Sequence, residues 1–493
     1  MALLRINVEP APYVRPLINI GATLDIPTGF YLEGLYGDHI LNGGLGATTA
    51  VVGIGNNFKS TVNNYMMLSA CDRIFQSVPD TSMFTYDTEN NIHQNRLTKF
   101  ASRFTSFKDI DVIKEGIWTV TDKTKYPGAE KVQEIIKEFW QFKRDNAKDI
   151  TFETPFLDAN RKPITILLPT FGCIDSFSDF QTSNILKIMD ENELGDSGNN
   201  TIHMRQGLAK MQFLIETNNT APAVSHYVLL TAQVGKAPQM QQGPGPQIPV
   251  KKLQYLKNGD VIKGVTDKFF FYMSNAWHAY NAAPIMNDAT KTPLYPKNSE
   301  DNEVGDTDLN IVRITQLRGK AGPTGYTLEI IVSQKEGVLP SLTEFHYIKN
   351  YNYYGLIGNK QNYALALLPD VKLSRTTVRG KLDTNPILAR AMNITSEMAQ
   401  LREYYKFDSD ILCSPEQLRT DIEALGYDWN ELLNTRSWWT VNHYDFPLPA
   451  LSTWDLLMMR LGRYHPYWMD ENKKRLPKYN RYLTPQWCIL DYR

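Results

Sequence analysis

The segment 51–61 has the residue types and spacing of a phosphate-binding loop. It follows the pattern G-x-x-x-x-G-K-[ST], except that Phe58 stands where the second glycine belongs. In such a loop the backbone N–H groups face an anion, a lysine reaches the β- and γ-phosphates, and a hydroxyl holds Mg²⁺. The alternative is a loop that binds nothing. The residues expected to bind a nucleotide are Gly53, Gly55, Asn56, Asn57, Phe58, Lys59, Ser60 and Thr61.

Polar side chains also follow three apolar segments that read as strands. These groups are Glu89 after 83–86, Asp175 after 170–174, and Gln233 at the end of 227–233. In a parallel α/β sheet such groups gather beyond the carboxyl ends of the strands. We expect Asp175 and Ser60 to hold Mg²⁺, Glu89 to handle the attacking water, and Gln233 to sense the γ-phosphate. Each acid taken alone is also compatible with a helix cap or a turn.

Strand and helix patterns alternate along the chain, and this alternation positions the polar groups. Helical spacing of apolar residues marks 129–144 and 204–215, and β-branched runs lie between them. The alternation predicts an α/β fold with a mostly parallel sheet flanked by helices. Residues 1–28 contain four prolines and read as an extended arm, whereas the chain after about residue 360 is more helical and aromatic.

The composition is that of an ordinary globular protein. The chain has 493 residues, 42% hydrophobic and 21% charged, with a net charge of −1, so any nucleic-acid site must be local. Its four cysteines lack metal-type spacing and indicate reduced thiols in a reducing compartment. We expect no signal peptide and no membrane span, and therefore a cytoplasmic location. We also expect no metal site beyond Mg²⁺.

The stretch 236–268 combines Gly- and Pro-rich sequence with six lysines and two aspartates. A basic loop of this kind can follow a phosphate backbone, and a solvated linker is the alternative. The stretch 179–199 is acidic, which makes DNA contact through it doubtful. A basic and aromatic run at 460–482 is better explained by packing than by base stacking. The candidate DNA-binding residues are Lys236, Lys251, Lys252, Lys257 and Lys263.

The ordered set of motifs resembles the RecA-type ATPases. These motifs are 53–61, Tyr86-Asp87-Thr88-Glu89, Ile174-Asp175-Ser176 and Leu230-Thr231-Ala232-Gln233. The Phe-Lys-Ser variant of the loop resembles UvsX-type recombinases of bacteriophages. Residues 193–197 and 204–209 are similar to the stretch that follows the second acidic motif in RecA. The resemblance covers roughly residues 20–355.

The resemblance implies a fold, a reaction and partners. It implies that Glu89 activates water, that Gln233 couples the γ-phosphate to the following loop, and that 236–268 is the second DNA-binding loop. The implied cofactors are ATP and Mg²⁺. The implied activity is homologous pairing and strand exchange by filaments formed on single-stranded DNA. The expected partners are single-stranded DNA, a homologous duplex, further copies of the chain, and loader and single-strand-binding proteins. If the protein is phage-encoded, its compartment is the host cytoplasm.

The predicted domain organisation follows the extent of the resemblance. Residues 1–28 are expected to form an arm for subunit contact, and residues 29–358 a RecA-like ATPase core. Residues 359–493 form a region of unassigned role. Within the core, Arg318 and Lys320 resemble the paired cations that reach a neighbouring subunit's nucleotide. Two ordinary surface cations on a hairpin tip are the alternative.

The segment Gly-Pro-Thr-Gly at 322–325 leaves a second family open, because it looks more like DnaB-type hexameric helicases. A ring-shaped replicative helicase is therefore the alternative to a filament-forming recombinase. A third interpretation is a RecA-fold binding protein that uses the nucleotide only as an assembly switch.

Overall fold

The computed structural model describes residues 14–191, 202–236, 254–257, 259–266, 268–298, 300–322, 324–359, 361–405 and 410–482. Several sequence-based expectations fall outside these ranges: the first half of the arm, the similarity at 193–197, and Lys251 and Lys252 of the basic loop. Within the described ranges, no helix is both long enough and apolar enough to span a bilayer.

The elements alternate as the sequence predicts. In chain order the strands are β1 (Phe30–Glu33), β2 (His39–Asn42), β3 (Thr48–Gly53), β4 (Met83–Asp87), β5 (Trp118–Asp122), β6 (Thr151–Leu157), β7 (Pro163–Leu167), β8 (Thr170–Asp175), β9 (His226–Lys236), β10 (Asp260–Ile262), β11 (Asn275–Pro284), β12 (Leu309–Gly319), β13 (Thr327–Ser333), β14 (Gly337–Val338), β15 (Leu356–Gly358), β16 (Asn362–Leu365) and β17 (Leu368–Ser374). The helices are α1 (Asp25–Thr28), α2 (Lys59–Phe75), α3 (Gln94–Ala101), α4 (Ala129–Asp145), α5 (Ser183–Glu191), α6 (Ile202–Thr220), α7 (Pro340–Asn350), α8 (Val378–Thr384), α9 (Pro386–Gln400), α10 (Pro415–Ala424), α11 (Trp429–Leu433) and α12 (Thr453–Arg460).

A large mixed sheet forms the centre of the fold. Its strand order is β14-β13-β12-β11-β3-β9-β8-β4-β5, with β10 paired to β9. The pairs from β11 through β3, β9, β8 and β4 to β5 are parallel, and β11 to β14 pair antiparallel. The prediction of an α/β fold with a mostly parallel sheet and flanking helices is therefore confirmed.

Strand β3 is buried on both faces, which explains its continuous apolar sequence. Val51 packs in one apolar cluster with Val62 and Met66 of α2. Its neighbours Ala50 and Val52 belong to another cluster, which includes side chains of α4 and α6. Because successive side chains of a strand point to opposite faces, this division places α2 on one side of the sheet and α4 and α6 on the other.

Residues 14–28 pack into the chain's own core, although the sequence assigns them to an extended arm. Ile18 and Leu24 are fully buried, and Ile18 forms a bridge with Leu45. The hydroxyl of Tyr65 and the indole N–H of Trp439 donate to backbone carbonyls of this segment. The apolar residues between the prolines explain the difference, since burying them outweighs the extended preference that proline confers.

The C-terminal region packs on the sheet through a third apolar cluster. This cluster joins α9 to α12 with α7 and with Leu309 and Ile331 of the sheet. The small antiparallel sheet β15-β16-β17 has strands on both sides of the predicted boundary at 358/359. The basic and aromatic run at 460–482 contributes to this packing, since Tyr464 and Trp468 are buried and the guanidinium of Arg475 lies 5.2 Å from the Trp468 ring centroid.

A buried carboxyl joins α7 to α9 and makes stability depend on pH. Glu344 accepts a hydrogen bond from Asn393 Nδ2 at 3.0 Å, and burial raises its pKa to about 8 from an ordinary value of 4.5. Between these two values the folded state keeps a proton that the unfolded chain has lost. The free energy of unfolding should therefore fall as pH rises through this window.

We expect Glu344→Gln to remove the part of this slope that Glu344 supplies and to raise the free energy of unfolding on the order of 2 kcal/mol at pH 8, because the amide cannot ionise. Denaturant titrations of both proteins at pH 5 and pH 8 measure the effect. Exposed Glu471 offers the control, and Glu471→Gln should leave the pH profile unchanged. Parallel pH profiles for wild type and Glu344→Gln would contradict the assignment.

Candidate functional site

The phosphate-binding pattern folds as a loop between β3 and α2. Asn56 and Phe58 adopt left-handed backbone conformations, with φ of 60° and 57°. Such values are uncommon for residues other than glycine. Phe58 thus takes the conformation that glycine would adopt without strain, while its half-buried ring packs against the core cluster that contains α2. The substitution in the pattern therefore keeps a tight turn at the start of the helix.

Strand β11 packs directly against the loop. A Cβ atom on Gly53 would lie 2.4 Å from the carbonyl oxygen of Ala279, so only glycine fits there. The same carbonyl accepts a hydrogen bond from Asn57 Nδ2 at 3.4 Å. Gly55 lies in open space at the tip of the loop, and Thr61 is buried in the first turn of α2.

Lys59 begins α2 and faces two of the predicted carboxylates. Its Nζ donates to the carbonyl oxygen of Ile54 at 3.0 Å. Partial burial lowers the pKa of Lys59, and the negative charges of Asp175 and Glu89 oppose that shift. The loop lysine and both acids therefore share one electrostatic environment, as the sequence predicts.

Asp175 lies beside the loop hydroxyl. It ends β8, is 8% exposed, and accepts a hydrogen bond from the hydroxyl of Thr231, and the hydroxyl of Ser60 is close enough to act on its pKa. Burial raises its pKa, and both hydroxyls act in the opposite direction. One carboxylate beside a serine hydroxyl fits Mg²⁺, which proteins commonly hold through one or two carboxylates together with substrate phosphates. No cluster of three or more His, Cys, Asp or Glu side chains suited to a metal occurs in the described part of the chain.

Glu89 and Gln233 meet across the site. Gln233 Nε2 donates to Glu89 Oε1 at 3.2 Å, and Gln233 pairs with Gly53 in the sheet register. Glu89 is exposed, so its carboxylate is available to a water molecule. The expectation that Gln233 ends its strand is wrong, because β9 continues to Lys236 through pairing with β10.

Three residues support the site although the sequence analysis assigned them no role. Asp87, level with Asp175 in the sheet, accepts the backbone N–H of Glu89 at 2.9 Å and so fixes the turn. Thr231 donates to Asp175, and the hydroxyl of Ser178 accepts the backbone N–H of Gln233 at 2.8 Å. The aspartate two positions before Glu89 is a recognisable turn signal, whereas the other two contacts depend on strand order.

Arg318 and Lys320 lie away from this site. Arg318 is level with Ala276 of β11, and Ala276 is level with Ala50 of β3, three residues before the strand ends. The Arg318 side chain turns towards the amino end of the parallel strands, where its Nε donates to Met273 O at 3.3 Å. Lys320 remains in contact with solvent, but partial burial and the positive charges of Arg318 and Arg15 lower its pKa. The phosphate-binding loop of the same chain therefore lies at the opposite, carboxyl ends of the parallel strands.

The lysines predicted to bind DNA differ in their surroundings. Lys236 forms an ion pair with Asp260, its partner in the last β9–β10 pair before the connecting segment. Lys257 and Lys263 are exposed, and the aliphatic part of Lys263 covers Gly235. Tyr255 is 42% exposed and packs its ring against Gly325.

The sequence matches no protein-family model, and it has no significant match among curated proteins.

Proposed function

We propose that this protein is a Mg²⁺-dependent ATPase of the RecA type that acts as a DNA recombinase. The convergence of Lys59, Ser60–Asp175 and Glu89–Gln233 around one loop carries the ATPase part of the proposal. These groups supply the separate requirements of phosphoryl transfer: phosphate positioning, a metal ligand and a group that orients or deprotonates water.

Each residue has a defined part in the proposed reaction. Lys59 and the N–H groups of the loop bind the phosphates, and Ser60 with Asp175 would hold Mg²⁺, which neutralises charge on the transferred group. Glu89 accepts the proton of the attacking water. The Gln233 amide leaves Glu89 when it turns to the γ-phosphate, and this frees the carboxylate for the water.

The RecA-type assignment draws support from the strand order. The strands that carry the four motifs, β3, β9, β8 and β4, are consecutive and parallel, so their carboxyl ends form one continuous edge. The position of Arg318 and Lys320 at the other edge favours a role towards a neighbouring subunit over a role in their own site. Both the recombinase and the helicase use such an arrangement.

Electron microscopy with single-stranded DNA and a non-hydrolysable ATP analogue tests the assembly. Helical filaments support the recombinase, and closed rings support a hexameric helicase. An ATPase assay with and without single-stranded DNA tests the reaction. Binding of ATP with no turnover in either condition would instead favour a nucleotide-controlled binding protein.

We expect the basic loop to supply the DNA contacts. Replacing Lys251, Lys252, Lys257 and Lys263 together with alanine should weaken binding to single-stranded DNA. It should also reduce the slope of log affinity against log salt by about 3, near 0.7 for each phosphate that the variant no longer neutralises. Fluorescence anisotropy at several salt concentrations measures both quantities. Unchanged affinity and slope would place the DNA path elsewhere on the protein.

A further inference from the structure

A buried lysine connects the nucleotide site to the last part of the basic loop 236–268. Lys210 of α6 is only 2% exposed. Its Nζ donates to the carbonyl oxygens of Ser178 at 2.6 Å and Gly264 at 2.8 Å, and it lies 5.7 Å from the centroid of the Phe177 ring. A buried ammonium group requires such partners. Lys210 therefore joins three parts of the chain: α6, the turn after β8, and the residues after β10.

The first of these contacts leads directly to the proposed catalytic groups. Ser178 lies three residues after Asp175, in a short 3-10 turn. While its carbonyl accepts from Lys210, its hydroxyl accepts the backbone N–H of Gln233 at 2.8 Å. Any shift of the Gln233 backbone must therefore move or break a contact with the residue that Lys210 holds.

The second contact leads to the segment 259–266. The backbone N–H of Lys263 donates to Gln233 O at 2.8 Å. Gly264 has a φ of +68°, and a Cβ atom there would lie 2.6 Å from Ser178 O and 3.1 Å from Lys210 Nζ. Only glycine allows this approach, so 259–266 is seated directly on the turn that holds Gln233.

We propose that Lys210 is a positioning residue that couples the nucleotide site to the segment 259–266. This inference rests on the proposed function. Gln233, Ser178, Lys210 and Gly264 form one hydrogen-bonded chain, and Lys263 closes it back onto Gln233. When the Gln233 amide exchanges Glu89 for a phosphate, the displacement passes through this chain to residues 259–266, which belong to the predicted DNA-binding loop 236–268. A cation shared by two carbonyls makes both bonds stronger than neutral donors would.

The charge on Lys210 should make the proposed coupling depend on pH. Burial lowers its pKa to about 7; the carboxylate of Asp179 raises it and the ammonium of Lys123 lowers it further. The charged form is lost as pH rises through that value. The coupling should therefore weaken between about pH 6 and pH 8 in the wild type, over the range where a group of pKa near 7 titrates.

Amide hydrogen exchange of the full-length protein tests the coupling without relying on turnover. Adding a non-hydrolysable ATP analogue to the wild type should change exchange in 259–266, and this change should be larger at pH 6 than at pH 8. In Lys210→Met the analogue should bind with affinity within about 2-fold of the wild type, yet the change in 259–266 should be absent at both pH values. Stimulation of ATP turnover by single-stranded DNA should fall about 5-fold or more, the lower range of typical coupling between sites.

Two further variants separate coupling from a general loss of stability. Lys137 is a surface lysine that pairs with Glu216 of α6 at 2.7 Å, and Lys137→Met should behave as the wild type. Lys210→Arg keeps a cation and should recover part of the response. If exchange in 259–266 responds equally in wild type and Lys210→Met, the coupling role is wrong.

The outcomes also distinguish this inference from the proposed function. A wild-type protein that binds the analogue without any response in 259–266 would overturn the coupling and leave the nucleotide site intact. A wild-type protein that does not bind the analogue would overturn both.

Discussion

The Glu89→Gln variant should bind ATP normally and hydrolyse it on the order of 10²-fold more slowly than the wild type, or worse, as expected when a general base is removed. The exposed Glu89 carboxylate acts electrostatically on Lys59 and Asp175, and only its charged form can accept a proton from water. Glutamine preserves the size of the side chain and its contact with Gln233. Steady-state turnover and nucleotide binding, both measured with saturating single-stranded DNA, check the two halves of the prediction.

Two comparisons give this result its meaning. Lys59→Ala should abolish nucleotide binding or hydrolysis outright, because the phosphates lose their cation. Asp122 is level with Asp87 at the same edge of the sheet, one strand further out, but outside the proposed site. Asp122→Asn should therefore turn over ATP at close to the wild-type rate. A wild-type rate in Glu89→Gln itself would remove Glu89 from the mechanism.

Removal of Arg318 and Lys320 should reduce DNA-stimulated ATP turnover by about 10³-fold, the scale seen when a cation supplied by a neighbouring subunit is absent. The physical reason is their location. Arg318 is directed to the amino end of the parallel strands, whereas Lys59 lies beyond their carboxyl ends. We therefore propose that the pair serves the nucleotide of an adjacent subunit, which would make the active site composite and hydrolysis dependent on assembly.

Mixing two inactive variants distinguishes this arrangement from a role within one subunit. The double variant Arg318→Ala/Lys320→Ala keeps its own loop, and Lys59→Ala can still donate the cations. Their mixture should regain part of the activity at junctions where an intact pair meets an intact loop. Arg313 lies on the same strand and pairs with Glu329 at 2.9 Å, so Arg313→Ala should retain activity. If the two variants assemble together on DNA without recovery, the cations act within their own subunit or only support the fold.

The local features of the site can be predicted from the amino-acid sequence alone. The loop at 53–61, the buried strand before it and the helix after it follow from glycine placement and apolar periodicity over about ten residues. The acid that ends β8 and the alternation of strands and helices follow in the same way. These features depend on near neighbours in the chain, and near neighbours are what a single sequence displays.

The meeting of these groups in one site depends on tertiary packing. Glu89 and Gln233 are 144 residues apart and form a hydrogen bond only because β4, β8 and β9 are consecutive in the sheet. Lys210 belongs to a helix whose sequence does not indicate a buried cation, and its burial depends on two carbonyls from distant loops. Strand order and such long-range contacts arise from the packing of whole elements, and local preferences do not encode them.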